Sequence, residues 1–433
     1  MSGFRGHPPG LYVLFATEFW ERYGFYSLAA ILTLYMDEHL RFSQQLSGQV
    51  YGGYLAAVYF MPLVGGFLAD RLLGYNRSVM IGAVLMGLGY LSVATGTLPL
   101  FFAGLALVAT GNGFLKPNIS TIVGNLYRDR PQLRDSAFNI FYMGINTGAF
   151  LAPLGVAWLR ARYGWHAAFA SSAVGMVLAL VTFVGFNGRV AAAARRAQEG
   201  ARPEIDPPPD EARRRTVALL AVFAIAVAFW VAFYQNGFTL TFWARDYTDR
   251  VVLGREISPE TFQSVNPLGI ILFSPLLVLA WGWLRDRGRE PSTPAKIMIG
   301  ILFTTASFGV MVVAAALAGA AGKASPAWLV GSYLLIAVGE ICLSPMGLSL
   351  VSRVAPPKRR GLLMGGWFAA TSLGGYFSGS LGARWGTMPH AQFFLLVTLM
   401  TLAAAGVLAL ITRWLRPVFA RAIDPTSSWP PAS

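Results

Sequence analysis

Along the chain, apolar runs of membrane length alternate with short polar breaks. A helix needs about 20 residues to cross the hydrocarbon core of a bilayer. Twelve segments meet that length: 11–36, 47–70, 77–96, 98–123, 136–159 and 166–187 in the first half, and 216–243, 263–284, 294–318, 326–352, 360–382 and 390–413 in the second. The pattern predicts an all-α polytopic membrane protein. The longest polar interval, Gly188 to Arg215, is rich in Ala, Arg and Pro. It reads as a cytoplasmic linker with a short amphipathic helix near Ala191–Gln198, dividing the chain into a six-helix unit at 1–187 and another at 216–433. A weak internal repeat agrees. "GGFLADRLLGYNR" follows the second segment and "WGWLRDRGRE" the eighth, each placing an Asp-Arg pair at the end of the second helix in its half. Two six-helix halves with a site between them is the layout of many secondary transporters.

Composition supports this assignment. Of 433 residues, 55% are hydrophobic and 12% charged, about half the charge of an ordinary soluble domain, and the mean hydropathy is +0.53. Lys and Arg set the orientation. The N-terminus, the even-numbered loops and the C-terminus together hold 24 of the 34 basic residues, against 8 on the other side. This bias puts both termini in the cytoplasm and accounts for the +14 net charge without nucleic acid. The first segment is too polar at its centre, and lacks the small-residue site, for a cleavable signal peptide. The single cysteine, Cys342, rules out an intramolecular disulfide and gives no zinc spacing. His7, His39, His166 and His390 all fall near segment ends or in loops, so neither a histidine metal site nor a membrane-embedded histidine relay is expected. No nucleophile–base pair is visible, and no enzyme, metal or cofactor is expected.

Five ionisable residues remain at depth: Glu18, Glu21, Arg22, Lys116 and Glu340. A charge at a helix centre costs about 2.5–3.5 kcal/mol on insertion scales. Glu18, Glu21 and Arg22 are spaced i, i+3, i+4 and share one helical face. That face should point into the bundle, with Lys116 of the fourth segment as partner. One account is a buried ion-pair network that only fixes packing, although such pairs stabilise weakly. The other is a proton-coupled switch: burial raises a carboxyl pKa and a nearby cation lowers it, so a mobile Lys116 would tie proton uptake to a conformational change.

Several motifs carry a resemblance. "GGFLADRLLG" resembles the loop signature of the major facilitator superfamily. "EFWERYGFYS" resembles the ExxERFxYY motif of its proton-dependent oligopeptide transporters. "GNGFLKPNISTIVGNLY", "FNIFYMGINTGAFLAP", "FQSVNPLGIILFSPLL", "EPSTPAKIMIGILF", "VGEICLSPMGLSLVSRVAP" and "MGGWFAATSLGGYFSG" are similar to further family motifs in the same order. The resemblance implies a major facilitator fold of 12 transmembrane helices. The implied function is a symporter importing di- and tripeptides with protons across a plasma membrane, the inner membrane of a bacterium, and working as a monomer. By the same resemblance Glu18, Glu21, Arg22, Lys116 and Glu340 serve proton coupling. Arg22, Tyr26, Tyr59, Lys116, Asn146, Trp230, Gln235, Asn266, Glu340 and Trp367 line the substrate site, with Lys116 near the peptide carboxylate and Glu340 near its amino end. Asp70 and Arg71 are gate residues.

The chain departs from the family pattern in three places. Phe25 stands where the motif has its first tyrosine. Ala29 replaces an arginine common seven residues after the motif arginine. Tyr234 replaces an acid common on the seventh helix, with Gln235 following, as in a subgroup of bacterial dipeptide transporters. The interval 188–215 is too short and polar for the two extra helices of many bacterial members. On the residues alone, Tyr59, Trp230 and Trp367 also fit plain packing, and Asn146 and Asn266 fit helix–helix hydrogen bonds. "NPLG", "LSPMG" and "GGYFSG" break helix ladders and fit rocker-type alternating access. A family-related carrier of nitrate, an amino-acid conjugate or a drug, and a non-transporting nutrient sensor on the same fold, are the alternatives.

Overall fold

The computed structural model describes residues 6–197, 207–318 and 322–423. Its helices are α1 (Pro9–Glu38), α2 (Gln44–Leu68), α3 (Tyr75–Ala94), α4 (Leu98–Leu126), α5 (Arg134–Gly185), α6 (Ala191–Ala197), α7 (Pro209–Phe233), α8 (Thr239–Asp246), α9 (Val265–Asp286), α10 (Thr293–Ala318), α11 (Pro326–Val354), α12 (Arg360–Gly382) and α13 (His390–Ile423). Proline opens α1, α4, α7 and α11, where its missing N–H costs nothing. Ser43 caps α2 by accepting from the Leu46 N–H. The short α6 falls where the linker helix was expected; Gln198 lies outside the described residues.

Nine runs among the described residues are long and apolar enough to cross a membrane. α5 counts once among them, yet Gly164 at φ 81° breaks it into arms 134–163 and 165–185, a conformation that suits glycine. These arms are the predicted fifth and sixth segments. α1, with its three central charges, and the glycine- and serine-rich α12 fall outside the nine but are 30 and 23 residues long. The order of helical arms therefore follows the twelve predicted segments.

The seventh segment departs from its expected continuous helix. α7 stops at Phe233, Tyr234–Gly237 forms a 3-10 turn, and α8 restarts at Thr239. Side chains of three other helices take up the carbonyls of the turn. Tyr51 on α2 donates to the Tyr234 carbonyl at 3.1 Å, Thr33 on α1 to that of Gly237 at 2.9 Å, and Tyr333 on α11 to that of Asn236 at 3.1 Å. Such breaks are tolerated at membrane depth where protein satisfies the backbone. Beyond α8, a two-residue hairpin pairs Val251–Val252 with Arg255–Glu256.

The two halves of the chain meet along α2 and α12. A Cβ on Gly379 would lie 2.2 Å from the Gly48 carbonyl oxygen, and one on Gly52 would lie 2.8 Å from that of Tyr376. Only glycine permits so close an approach. Near the C-terminal end of α1, charges join the halves. Arg160 on α5 holds Glu260, ahead of α9, through two bonds of 2.8 and 3.0 Å, and reaches Glu38 at 3.2 Å. Arg245 on α8 binds Asp37 at 2.6 Å and Glu38 at 3.4 Å. Ser264 donates to the Phe150 carbonyl at 2.8 Å, and Gln263 to that of Ala30 at 3.1 Å.

Candidate functional site

The three charges of α1 do share an inward face. Glu18 and Glu21 are fully buried and Arg22 nearly so. Gly148 on α5 lets this face pack closely: a Cβ there would lie 2.6 Å from the Phe19 carbonyl oxygen and 3.2 Å from the Arg22 Cβ. The Arg22 guanidinium grips both oxygens of Glu21, through Nε and Nη2. The same guanidinium lies 4.8 Å from the centroid of the Phe25 ring, whose negative face attracts a cation. Lys116 on α4 donates to Glu18 Oε1 at 2.9 Å, while Arg22 Nε stays 3.6 Å from that oxygen. The other Glu18 oxygen has no hydrogen-bond partner. The lysine side chain keeps 31% of its surface exposed, against none for Glu18. The predicted partnership of Lys116 with the α1 acids is therefore present, and Lys116 is its accessible member.

Glu340, on α11 in the second half, is half-buried. Asn266 on α9 is a polar neighbour of Glu340. Glu340 Oε2 and Asn266 Nδ2 are nonetheless buried without a hydrogen-bond partner. Four phenols stand within electrostatic reach of Glu340: Tyr26 on α1, Tyr59 on α2, Tyr142 on α5 and Tyr234 in the α7–α8 turn. Tyr26, Tyr59 and Tyr142 are half-buried too. The Tyr59 and Tyr234 rings meet across the halves with centroids 5.4 Å apart. Asn146 is buried one turn after Tyr142 and donates to its carbonyl at 2.9 Å.

Other predicted residues lie in the walls. Trp230 stacks on Tyr234 at 5.6 Å and packs over Gly374, where a Cβ would lie 2.3 Å from its own. Trp367 meets Phe223 edge-on at 5.8 Å and covers Gly347. Gln235 is buried away from the charges. Its amide donates to the Ser378 carbonyl and hydroxyl at 3.0 and 2.9 Å, and its oxygen accepts from Thr239 at 2.9 Å. It thereby ties the helix break to α12. Asp70 and Arg71 are exposed in a π-helical turn, Ala69–Leu73, after α2. Asp70 accepts from Tyr75 at 2.5 Å, and Arg71 lies over Phe67 at 4.5 Å.

Sequence reasoning missed Tyr142, Tyr234 as a wall of the site, and Asn112. The last is a buried amide on α4 bonded to Arg22 at 2.9 Å. Its signal was a polar residue between two glycines in an otherwise apolar run, "GNG".

Comparisons with known proteins agree with this architecture. The PTR2 model of the POT family matches residues 76–193 and 209–385. Peptide transporter YePEPT of Yersinia enterocolitica subsp. palearctica is 34% identical over 94% of this chain and 93% of its own. Dipeptide and tripeptide permease A of Escherichia coli K12 is 30% identical, over 86% and 84%. Among solved structures, a mutant of the peptide transporter POT in complex with alafosfalin superposes with a TM-score of 0.87 at 32% identity, covering 96% of each chain. A POT family transporter in complex with 5-aminolevulinic acid gives 0.86 at 25% identity, covering 95% of this chain. This chain belongs to the POT family of multi-pass membrane transporters.

Proposed function

We propose that the protein is a proton-coupled symporter that imports di- and tripeptides by alternating access. One observation carries this. The second half offers a carboxylate with no ion-pair partner among the described residues, Glu340, with tyrosines of both halves within its electrostatic reach, and the first half offers the cations Arg22 and Lys116. A zwitterionic peptide has the complementary charges at its two ends and would bridge the halves, its ammonium on Glu340 and its carboxylate towards Lys116. Tyr26, Tyr59, Asn146, Asn266 and the flanking Trp230 and Trp367 would accommodate varied side chains with area and adaptable hydrogen bonds. Gln235 acts from the wall, by holding the helix break behind Tyr234.

The charge sum supplies a reason for the proton. Glu18, Glu21 and Glu340 against Arg22 and Lys116 leave one negative charge. A zwitterion adds none, so one proton makes the occupied, water-poor site neutral, and net charge is costly there. Glu18 is the best-placed acceptor, since one oxygen is free and its partner Lys116 is accessible. The proposed organisation is two six-helix units, 1–187 and 216–433, joined by a cytoplasmic linker at 188–215. The unit works as a monomer in a bacterial inner membrane, with both termini cytoplasmic. The charged contacts at Glu38 and Glu260 then face outward, and Asp70 and Arg71 gate the cytoplasmic side. No nucleic acid is involved.

A competition panel tests the substrate class. Uptake of labelled dialanine into proteoliposomes should fall with unlabelled di- and tripeptides and be untouched by nitrate. The 5-aminolevulinic acid bound by a similar POT family transporter places that non-peptide amino acid in the panel. Displacement by that compound and not by dipeptides would move the assignment to another solute.

A further inference from the structure

Asn112 lies one helical turn before Lys116, flanked by Gly111 and Gly113, and its side chain bonds to two other helices, α1 and α2. A Cβ on Gly113 would meet the Met61 Cβ at 2.5 Å, and one on Gly111 the Gly82 carbonyl oxygen at 2.6 Å. α4 is thus pressed between α2 and α3, and the Asn112 side chain is 3% exposed. Its Oδ1 accepts from Arg22 Nη2 at 2.9 Å, and its Nδ2 donates to the Val58 carbonyl on α2 at 3.2 Å. Val58 stands four residues before Pro62, which lies inside α2. Proline has no N–H, so the Val58 carbonyl lacks its usual i+4 partner. The Asn112 amide fills that vacancy. A guanidinium can only donate and a carbonyl only accept, so the amide has one workable orientation, with Oδ1 directed at Arg22.

The consequence falls on the acids of α1. Arg22 could serve either glutamate: it grips Glu21, and its Nε is 3.6 Å from Glu18 Oε1. We propose that Asn112 is a positioning residue for proton coupling. By holding Arg22 on Glu21, it leaves Glu18 with the accessible Lys116 as the cation hydrogen-bonded to it, at 2.9 Å against 3.6 Å for Arg22 Nε. Glu18 is then the acid whose partner can leave, and the one that takes up the driving proton. This rests on the proton-coupled symport proposed above.

The titratable groups facing Arg22 and the two acids are Tyr26 on α1, Tyr54 and Tyr59 on α2, Tyr90 on α3 and Lys116 on α4. On α5, Gly148 packs against the Arg22 Cβ. The tyrosines keep their protons at working pH, which leaves the two acids to respond.

The test is the pH profile of gradient-driven dialanine uptake in proteoliposomes for wild type, Asn112→Ala, Pro62→Ala and the double variant. In Asn112→Ala, Arg22 can turn to Glu18 and hold its carboxylate charged. The profile should then shift towards acid by about one pH unit, with the concentration for half-maximal peptide exchange within about threefold of wild type. Pro62→Ala gives the Val58 carbonyl a backbone partner and leaves Arg22 bonded to Asn112, so its profile should match wild type. The double variant removes the orphan carbonyl but not the freedom of Arg22. Its melting temperature should recover relative to Asn112→Ala, while the acid shift persists. A double variant with the wild-type profile would reduce Asn112 to a carbonyl cap and overturn the proposal, as would an unshifted Asn112→Ala. A wild type with no gradient-driven uptake would overturn both this and the parent proposal.

Discussion

Glu340 and Arg22 carry opposite charges in opposite halves of the chain, and of the two only Arg22 has a charged partner among the described residues. If Glu340 binds the peptide ammonium, Glu340→Gln removes a charge-assisted bond worth about 1.5–3 kcal/mol. Binding of dialanine should weaken by about ten- to a hundredfold, while N-acetylated dialanine, already a poor ligand, should change little. Titration calorimetry on the two ligands checks this; equal dialanine affinity in wild type and variant would remove Glu340 from the ammonium site. For Glu18 the expectation is a split phenotype. Glu18→Gln keeps size and hydrogen bonding but cannot exchange a proton. It should still swap labelled for unlabelled peptide across the bilayer, and should fail to accumulate peptide when the outside is acidified. The i, i+3, i+4 spacing in "EFWER" made this inward face legible, because charges in an apolar helix must turn away from lipid. The division of labour between Glu18 and Glu21 was not legible. It depends on Asn112 and on a carbonyl orphaned by Pro62, residues far from α1 in sequence.

The helices show why some boundaries could be read and others could not. Polar breaks mark most ends of the predicted segments. The stop in α7 carries only a short mark, Gln235-Asn236-Gly237 inside an otherwise apolar run, and its carbonyls are captured by Thr33, Tyr51 and Tyr333 from remote parts of the chain. Gln235, expected in the pocket, serves the same break. Tyr51→Phe should therefore destabilise the fold by about 1 kcal/mol, seen as a lower melting temperature in detergent, with little change in peptide affinity. The turn between α9 and α10 gives a pH prediction. Glu290 bonds to Arg285 and Lys296, which together hold its pKa at about 2, below the ordinary 4.5. A depressed folded-state pKa stabilises above the ordinary value and is lost as pH falls towards 2. The effect of Glu290→Gln on melting should be small and constant from pH 5 to 8. A pH dependence of transport in that window then originates elsewhere, at the central acids.

At the scale of the whole molecule, one set of charged contacts among the described residues joins the halves where α1 ends and α8 and α9 meet. Arg160 holds the fully buried Glu260 and reaches Glu38, and Arg245 holds Asp37. Opening this end must part those pairs. Arg160→Ala strands a buried carboxylate, which costs about 3–5 kcal/mol. The variant should melt earlier and label faster at cysteines placed on that face. The two-half layout was legible from segment count and linker composition; the contacts that hold the halves together were not, because they join residues a hundred or more positions apart. Proton-driven peptide accumulation is the claim on which the account stands. Its most direct measurement is uptake of labelled dialanine by proteoliposomes under an imposed pH gradient, acid outside. The account predicts accumulation above the external concentration, collapsing to equilibrium when a protonophore is added. Uptake that stops at equilibrium with and without the gradient would contradict it.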